Sequence, residues 1–413
     1  MAQATRSLQD AYQQWMEQAK AADGDYIVLM LQRIIQEASA RRASDVHLQP
    51  GRSAIDVRFR LDGVLYKIGE LPLANVAQVA ARIKVLSNLT TFKTDEPQEG
   101  RIRKGLIPFV DRDIRISTAP SLYGERIVAR FFSEGNRFQL PLELGFSPEI
   151  LRDLSLAVQK TSGAILITGP AGNGKTTTVC ALLRALVGME NATHVVRSII
   201  SLEDPIEYAI DGVAQMEVSR SGETTLDKLI RYLLRQDPDV IMIGEIRDRA
   251  TAEAALQAAL TGHLILSTFH ASDTSSAMCR LLELGLEPFT IRSSVSNILN
   301  QRLVRRLCPK CAKKNNTPQS MRILNEDIRF STWYEPVGCP HCLGTGYTGR
   351  FLIAESLPVN ENEMANAILD RKDASTIRKI ASDCGMISLT KAAHQLIQSG
   401  QTSPLEILRV LGG

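Results

Sequence analysis

The chain is predicted to be an α/β protein: a parallel sheet wrapped by helices in its second half, joined to a smaller α+β domain in its first half. Three observations predict this. The runs 164–168, 198–202, 240–243 and 264–268 are nearly all apolar and alternate with helical stretches, the pattern of a sheet buried on both faces. Between the first of these runs and the helical stretch beginning at Thr177 sits Gly169-Pro170-Ala171-Gly172-Asn173-Gly174-Lys175-Thr176, which fits G-x-x-x-x-G-K-[ST] at every fixed position. Before residue 135 the strand-like runs are short and alternate apolar with polar residues, which suits a sheet with one wet face.

In chain order, residues 7–22 read as a polar helix with Leu8, Tyr12, Trp15 and Met16 along one side, an arm for this chain or for a partner. The spacing of Ile27, Leu29, Leu31, Ile34, Ile35 and Ala38 predicts an amphipathic helix over 26–40. Asp45-Val46-His47-Leu48 and Ile55-Asp56-Val57-Arg58-Phe59-Arg60 alternate as strands, and Asp62-Gly63 marks a tight hairpin to Val64-Leu65-Tyr66. Asp113-Ile114-Arg115-Ile116-Ser117 and 126–131 complete a small sheet, and Ser133-Glu134-Gly135-Asn136 breaks the pattern as a linker. The expected organisation is an N-terminal helical segment 1–24, an α+β domain 25–135, a linker 136–145, a nucleotide-handling core 146–357 that includes a cysteine element 305–345, and a helical region 358–413.

Composition narrows the function classes. A chain of 413 residues holds two or three domains at ~100–200 residues each. With a net charge of +3, no global field points to nucleic acid or an anionic membrane as the obligatory partner. No apolar run reaches the ~18–20 residues needed to span a bilayer, and residues 1–20 lack the pattern of a secretory signal. The expectation is a cytosolic chain, in which seven cysteines point to metal rather than to disulfides.

The glycine-rich loop predicts a nucleoside triphosphate site formed by Gly169, Pro170, Ala171, Gly172, Asn173, Gly174, Lys175, Thr176 and Thr177. Glycines let backbone N–H groups close around phosphates, and the helix N-terminus adds a favourable dipole. Lys175 is expected to reach the β and γ phosphates and Thr176 to bind Mg²⁺. The apolar run 240–243 leads to Glu245, a carboxylate placed to order Mg²⁺ through water or to orient the attacking water, although Gly244 stands where a strand-terminal aspartate is usual. Glu203, in Glu203-Asp204-Pro205-Ile206-Glu207-Tyr208, is a second candidate for holding water, with Asp204 and Glu207 serving a turn and a helix start. His263 and His270 bracket the run 264–268 and are candidate phosphate sensors or donors. Cys308-Pro309-Lys310-Cys311 and Cys339-Pro340-His341-Cys342, separated by 27 residues, read as a closed Cys₄ zinc site with a structural role. Arg115 and Arg130 fall on strands of the first domain, and Arg231 and Arg235, at i and i+4, are expected to share a helical face; spacing alone marks them as ordinary solvated arginines.

Taken in order, these blocks resemble the secretion ATPases of the type II secretion and type IV pilus assembly group, the GspE/PilB-like branch. The match runs from about Tyr26 to the C-terminus. Ala43-Ser44-Asp45-Val46-His47 is similar to the family's first-domain motif, 124–130 to its domain-closing strand, and the glycine loop to its Walker A. The stretch 203–208 is similar to its Asp box, 235–248 with the Gly244-Glu245 ending to its Walker B, and 261–270 to its His box. Gln301-Arg302-Leu303-Val304-Arg305-Arg306-Leu307 with the four cysteines resembles the assembly and secretion branch, not the retraction ATPases. The resemblance implies a PAS-like first domain, a RecA-like P-loop ATPase core and a homohexamer with Arg115, Arg130, Arg231 and Arg235 as phosphate or interface arginines. It also implies ATP, Mg²⁺ and Zn²⁺ as ligands. Hydrolysis would rotate first domains against cores and drive an inner-membrane platform protein that assembles pilin or pseudopilin, the ATPase staying cytoplasmic and peripheral to the membrane. Two departures stand out: about 25 residues precede the first domain, so the extended N-terminal docking domain of many members is expected to be absent, and Walker A carries Ala171-Gly172-Asn173 where Thr-Gly-Ser is typical. A DNA-translocating ATPase is the rival class, but the basic residues around Arg302 to Lys314 lack interleaved aromatics, so no direct nucleic-acid contact is expected. A nucleotide-dependent switch is the other alternative.

Overall fold

The computed structural model describes residues 8–21, 25–132, 139–193, 196–218, 225–324, 326–359 and 362–412. The chain divides into two compact units: Met1–Glu134 with Arg305–Lys313 and Glu335–Gly349, and Gly135–Val304 with Lys314–Tyr334 and Arg350–Gly413. The cysteine-bearing segments, expected within the nucleotide-handling core, therefore group with the first unit. The expected break at Ser133 to Asn136 lies outside the described residues, as does the start of the linker.

The first unit opens with α1 (Leu8–Ala21) and α2 (Tyr26–Ala40), the latter capped by Asp25, whose carboxylate accepts from the Ile27 N–H at 3.0 Å. Strands β1 (Asp45–Pro50), β2 (Ala54–Leu61) and β3 (Val64–Pro72), helix α3 (Val76–Leu86), and strands β4 (Gln98–Ile102), β5 (Ile114–Ser121) and β6 (Gly124–Phe131) follow. The sheet order is β3-β2-β1-β6-β5-β4, antiparallel throughout. Asp62 and Gly63, with φ of 47° and 84°, make the two-residue hairpin that the sequence announced. Alternation then decides the faces. Val57, Phe59, Ile114, Ile116 and Ile127 point at Leu31, Ile34, Ile35, Val79 and Ile83 of α2 and α3, and all are buried in one core. Arg60, Asp45, Arg130, Arg115 and Arg101 are register partners across β2, β1, β6, β5 and β4. Helix α1 is not a free arm within this unit: Tyr12 and Trp15 belong to the same core.

The second unit is built on a seven-stranded sheet. Its elements are α4 (Pro148–Gln159), β7 (Gly163–Thr168), α5 (Lys175–Thr193), β8 (Ile199–Glu203), β9 (Ala214–Glu217), α6 (Leu226–Leu233), β10 (Val240–Ile243), α7 (Arg249–Leu260), β11 (Leu264–Phe269), α8 (Thr274–Glu283), α9 (Pro288–Ser294) and β12 (Val295–Leu307). Short strands β13 (Lys313–Asn315), β14 (Gln319–Ile323), β15 (Glu326–Phe330) and β16 (Trp333–Glu335) precede β17 (Tyr347–Pro358). The sheet order is β17-β12-β7-β11-β10-β8-β9, and every pair from β12 to β9 is parallel. Successive residues of one strand enter opposite cores, so both faces must be apolar: Ala164 and Leu166 pack with α7, α8 and α9, while Ile165 and Ile167 pack with α4 and α5. The final helices α10 (Asn362–Leu369), α11 (Ala374–Asp383), α12 (Leu389–Gln398) and α13 (Pro404–Leu411) complete the unit. Leu389, Ile397 and Ile407 of α12 and α13 bury Ile323, Ile328 and Phe330 of the β14–β15 hairpin.

Candidate functional site

The carboxyl ends of parallel strands are where open α/β sheets bind ligands, and β7, β8, β10 and β11 bring their ends to one edge. From β7 the chain enters the glycine loop and then α5. Gly169, Gly172 and Gly174 have φ of 138°, 75° and 79°, a region open to glycine and costly for a side chain. Lys175 Nζ donates to Gly169 O at 2.7 Å and to Pro170 O at 3.1 Å, holding the loop in a closed turn. Burial pushes its ammonium below the usual lysine range, against the opposing pull of Glu245.

Parallel pairing sets the acidic residues beside this loop. Gly244 N donates to Leu202 O at 2.8 Å, Ile246 N to Thr268 O at 3.0 Å, and Thr268 Oγ1 to Gly244 O at 2.7 Å. A Cβ at Gly244, where an aspartate is usual, would lie 3.2 Å from Leu202 O, a tight approach that a side chain could make only with a small shift of that strand. These bonds carry Glu245 to His270, whose Nε2 is 2.6 Å from Glu245 Oε1. The other ring nitrogen, Nδ1, is 3.2 Å from Gly169 O and 3.5 Å from Lys175 Nζ. Glu245, His270 and Lys175 thus form one continuous polar line from β10 through β11 to the glycine loop. Arg247 Nε donates to the second oxygen of Glu245 at 2.6 Å, a contact the sequence reading missed although Arg247 stood within the quoted motif.

Glu203 ends β8 and is almost wholly buried. Its Oε1 accepts from Ser201 Oγ at 2.7 Å and from Gln215 Nε2 at 2.9 Å. Gln215 also donates to Tyr208 O and accepts from the Ile210 N–H, so one side chain of β9 shapes the whole 203–210 loop. No helix starts in that loop, contrary to the role expected for Glu207; the chain stays irregular until β9, with Gln215 bonded to Tyr208 O and the Ile210 N–H. Gln215 had no sequence signal, since a lone glutamine carries none.

The remaining candidates fall elsewhere. His263 precedes β11 at the amino end of the strand, opposite to His270; its Nδ1 is 3.0 Å from Ala258 O, where it closes the last turn of α7. Within this unit that is the far edge of the sheet from the glycine loop. Arg231 lies on α6, but α6 stops at Leu233 and Arg235 stands in the following turn, so the two do not share a helical face as expected. Both nevertheless line one shallow surface groove with Lys228 and Tyr232. Arg115 and Arg130 belong to the first unit, where Arg115 pairs with Glu99 at 2.6 Å and Arg130 Nε with Asp45 at 2.8 Å.

Also in the first unit, Cys308, Cys311, Cys339 and Cys342 bring four sulfurs within 4.8 Å of one another. The Cys308–Cys339 and Cys311–Cys342 separations are 3.8 Å, which is the edge expected of a tetrahedron with Zn–S of ~2.3 Å. Backbone N–H groups of Gly338, Cys339 and Gly346 donate to these sulfurs, the support that thiolate ligands require. The residues fit a zinc ion, and four ligands leave no position open for a substrate.

The comparisons with known proteins agree with this arrangement. Residues 20–409 match the family described as Type II/IV secretion system protein. The chain belongs to that family. This secretion-family chain is 36% identical over 398 residues to the type IV pilus assembly ATPase PilB of Myxococcus xanthus, covering 95% of itself and 69% of that protein. It is 40% identical over 387 residues to a putative type II secretion system protein E of Escherichia coli, covering 93% of itself and 76% of that protein. In fold it is similar to the Legionella pneumophila ATPase DotB, with a TM-score of 0.65 at 20% identity over 92% of this chain and 94% of that one. Membership makes it an ATPase of the secretion and pilus-assembly class, with a nucleotide-binding site and a candidate metal site. Among the described residues no helix is long and apolar enough to cross a membrane.

Proposed function

We propose that the chain hydrolyses ATP at the carboxyl edge of the second unit's sheet and, as a homohexamer, turns that hydrolysis into domain rotation for pilin or pseudopilin assembly. The observation that supports this best is the unbroken line from Lys175 through His270 to Glu245, which sets the ammonium of the glycine loop, an imidazole and a carboxylate side by side. On this reading the N–H groups of Gly169 to Thr177 and the Lys175 ammonium hold the phosphates. Thr176 is the side chain that would hold Mg²⁺, which neutralises phosphate charge when bound. Glu245 or Glu203 orients the attacking water, and His270 senses the γ phosphate or donates to it.

Arg115, Arg130, Arg231 and Arg235 serve as phosphate or subunit-interface arginines, since charge on a transferring phosphoryl group is commonly neutralised by a residue supplied from elsewhere. The partner is a platform protein of the inner membrane, to which the hexamer stays peripheral from the cytoplasmic side. The test is steady-state ATP hydrolysis across a concentration series beside Glu245→Gln. Turnover per subunit is expected to rise with concentration and to fall by about 10²-fold or more in the variant. Turnover that is the same in both proteins overturns the assignment and favours a nucleotide-dependent switch.

A further inference from the structure

Three glycines at positive φ make the phosphate loop a segment with much conformational freedom to lose, and a loop that must find its shape when ligand arrives binds more weakly. The loop's own residues do not hold it alone. Gln301 of β12, the strand between β17 and β7, is 1% exposed, and at that burial an amide is costly unless both ends are bonded. Both ends are spent on the loop and its helix. Gln301 Nε2 donates to Asn173 O at 2.7 Å, and Gln301 Oε1 accepts from the buried Thr178 Oγ1 at 2.9 Å. One side chain therefore grips the chain just before and just after Gly174 to Thr177, the arc that contains Lys175 and Thr176.

A second bond runs the other way. Asn173 Oδ1 accepts from the Leu303 N–H of the same strand at 2.8 Å. The shorter serine typical of the family at this position would place its oxygen one bond nearer its own backbone, so this contact depends on the departure from Thr-Gly-Ser. The strand also presses on the loop's entrance: a Cβ on Gly169 would lie 2.5 Å from Gln301 O.

We propose that Gln301 and Asn173 are positioning residues of the nucleotide site, forming a two-point clamp through which β12 holds the phosphate loop in its binding shape before the nucleotide arrives. The inference rests on the reading of Gly169 to Thr177 as the phosphate-binding loop. Gln301→Met keeps the volume and removes both amide bonds, whereas Asn173→Ser keeps the backbone oxygen that Gln301 uses and removes the Leu303 contact together with the long 3.4 Å contacts of Asn173 Nδ2 with Pro170 O and Ala171 O.

The experiment measures binding of a fluorescent ADP analogue, with thermal unfolding with and without ADP, for the native chain, both variants and Lys175→Ala. Gln301→Met is expected to bind about tenfold more weakly and Asn173→Ser about threefold more weakly, with smaller ADP-induced shifts in unfolding midpoint. The nucleotide-free midpoint should fall as well, because Thr178 Oγ1 and Asn173 O stay in place without their amide partner, so the clamp is read from the affinity of the folded protein. Native affinity in Gln301→Met, or in Asn173→Ser should Gln301→Met not fold, overturns the clamp, as does a lowered nucleotide-free midpoint with native affinity, the mark of a merely structural glutamine. Native affinity in Lys175→Ala is a different failure, that of the loop reading itself.

Discussion

Asp45 shows how one residue's charge state is settled by neighbours far away in sequence. It is 3% exposed, and burial alone would raise its carboxyl. Arg130 Nε at 2.8 Å, Ser44 Oγ at 2.9 Å and Arg60 Nε at 3.2 Å outweigh that penalty and hold it below the ordinary aspartate range. A carboxyl lowered on folding contributes stability that is present above the unfolded value of ~3.9 and lost as pH falls through the lower folded value. Asp45→Asn should therefore be less stable than the native chain by about 1–3 kcal/mol near neutral pH, a gap that narrows as pH falls below about 4. Denaturant unfolding at a series of pH values checks it; a gap constant with pH would mean that the ion pairs contribute nothing. The motif Ala43 to His47 was visible in the sequence, but the partnership of Asp45 with Arg130 follows from the β1–β6 register and could not be read from spacing.

At the scale of an element, α1 became part of the first unit because of a missing side chain. Its polar composition gave no partner, and Tyr12, Trp15 and Met16 marked only a face. The partner is a gap in β3. A Cβ on Gly69 would lie 2.1 Å from the Tyr12 ring, so only glycine lets the helix seat, and the Tyr12 hydroxyl then donates to Glu70 O at 3.0 Å. Burial pushes the Tyr12 phenol well above its usual range, which favours the neutral hydroxyl that donates to Glu70 O. Gly69→Ala is expected to displace α1 and destabilise the unit by about 1–3 kcal/mol. The checks are the unfolding midpoint and limited proteolysis ahead of Tyr26; a variant as resistant as the native chain would show that α1 packs otherwise.

For the whole molecule, the cysteine element matters because it joins chain segments that are distant in sequence. Arg305–Lys313 and Glu335–Gly349 group with the N-terminal unit, with the β14–β15 hairpin between them assigned to the other. Four sulfurs at tetrahedral spacing close this excursion. Elemental analysis of purified protein is expected to find about one zinc per chain, and Cys308→Ser to lose it with a lower unfolding midpoint, since metal affinity acts as folding free energy. Protein free of zinc with unchanged stability would refute the site.

What the amino-acid order determined by itself was whatever depends on local pattern. The Tyr26–Ala40 helix, the Asp62-Gly63 hairpin, the parallel strands and the glycine loop all follow from periodicity or from positions that demand glycine. The pairing of the two C-x-x-C motifs was legible because metal geometry restricts ligand spacing. Tertiary structure alone decided which side chains meet. It set His270 beside Glu245 and sent His263 to the opposite end of the same strand, a distinction invisible while the two merely bracket an apolar run. It gave Gln215 and Gln301 their places against Glu203 and the phosphate loop. The physical reason is that hydrogen bonds act over about 3 Å between atoms that strand order and register bring together. Neither order nor register is written in any one segment, because both are set by how every segment buries its apolar face at once.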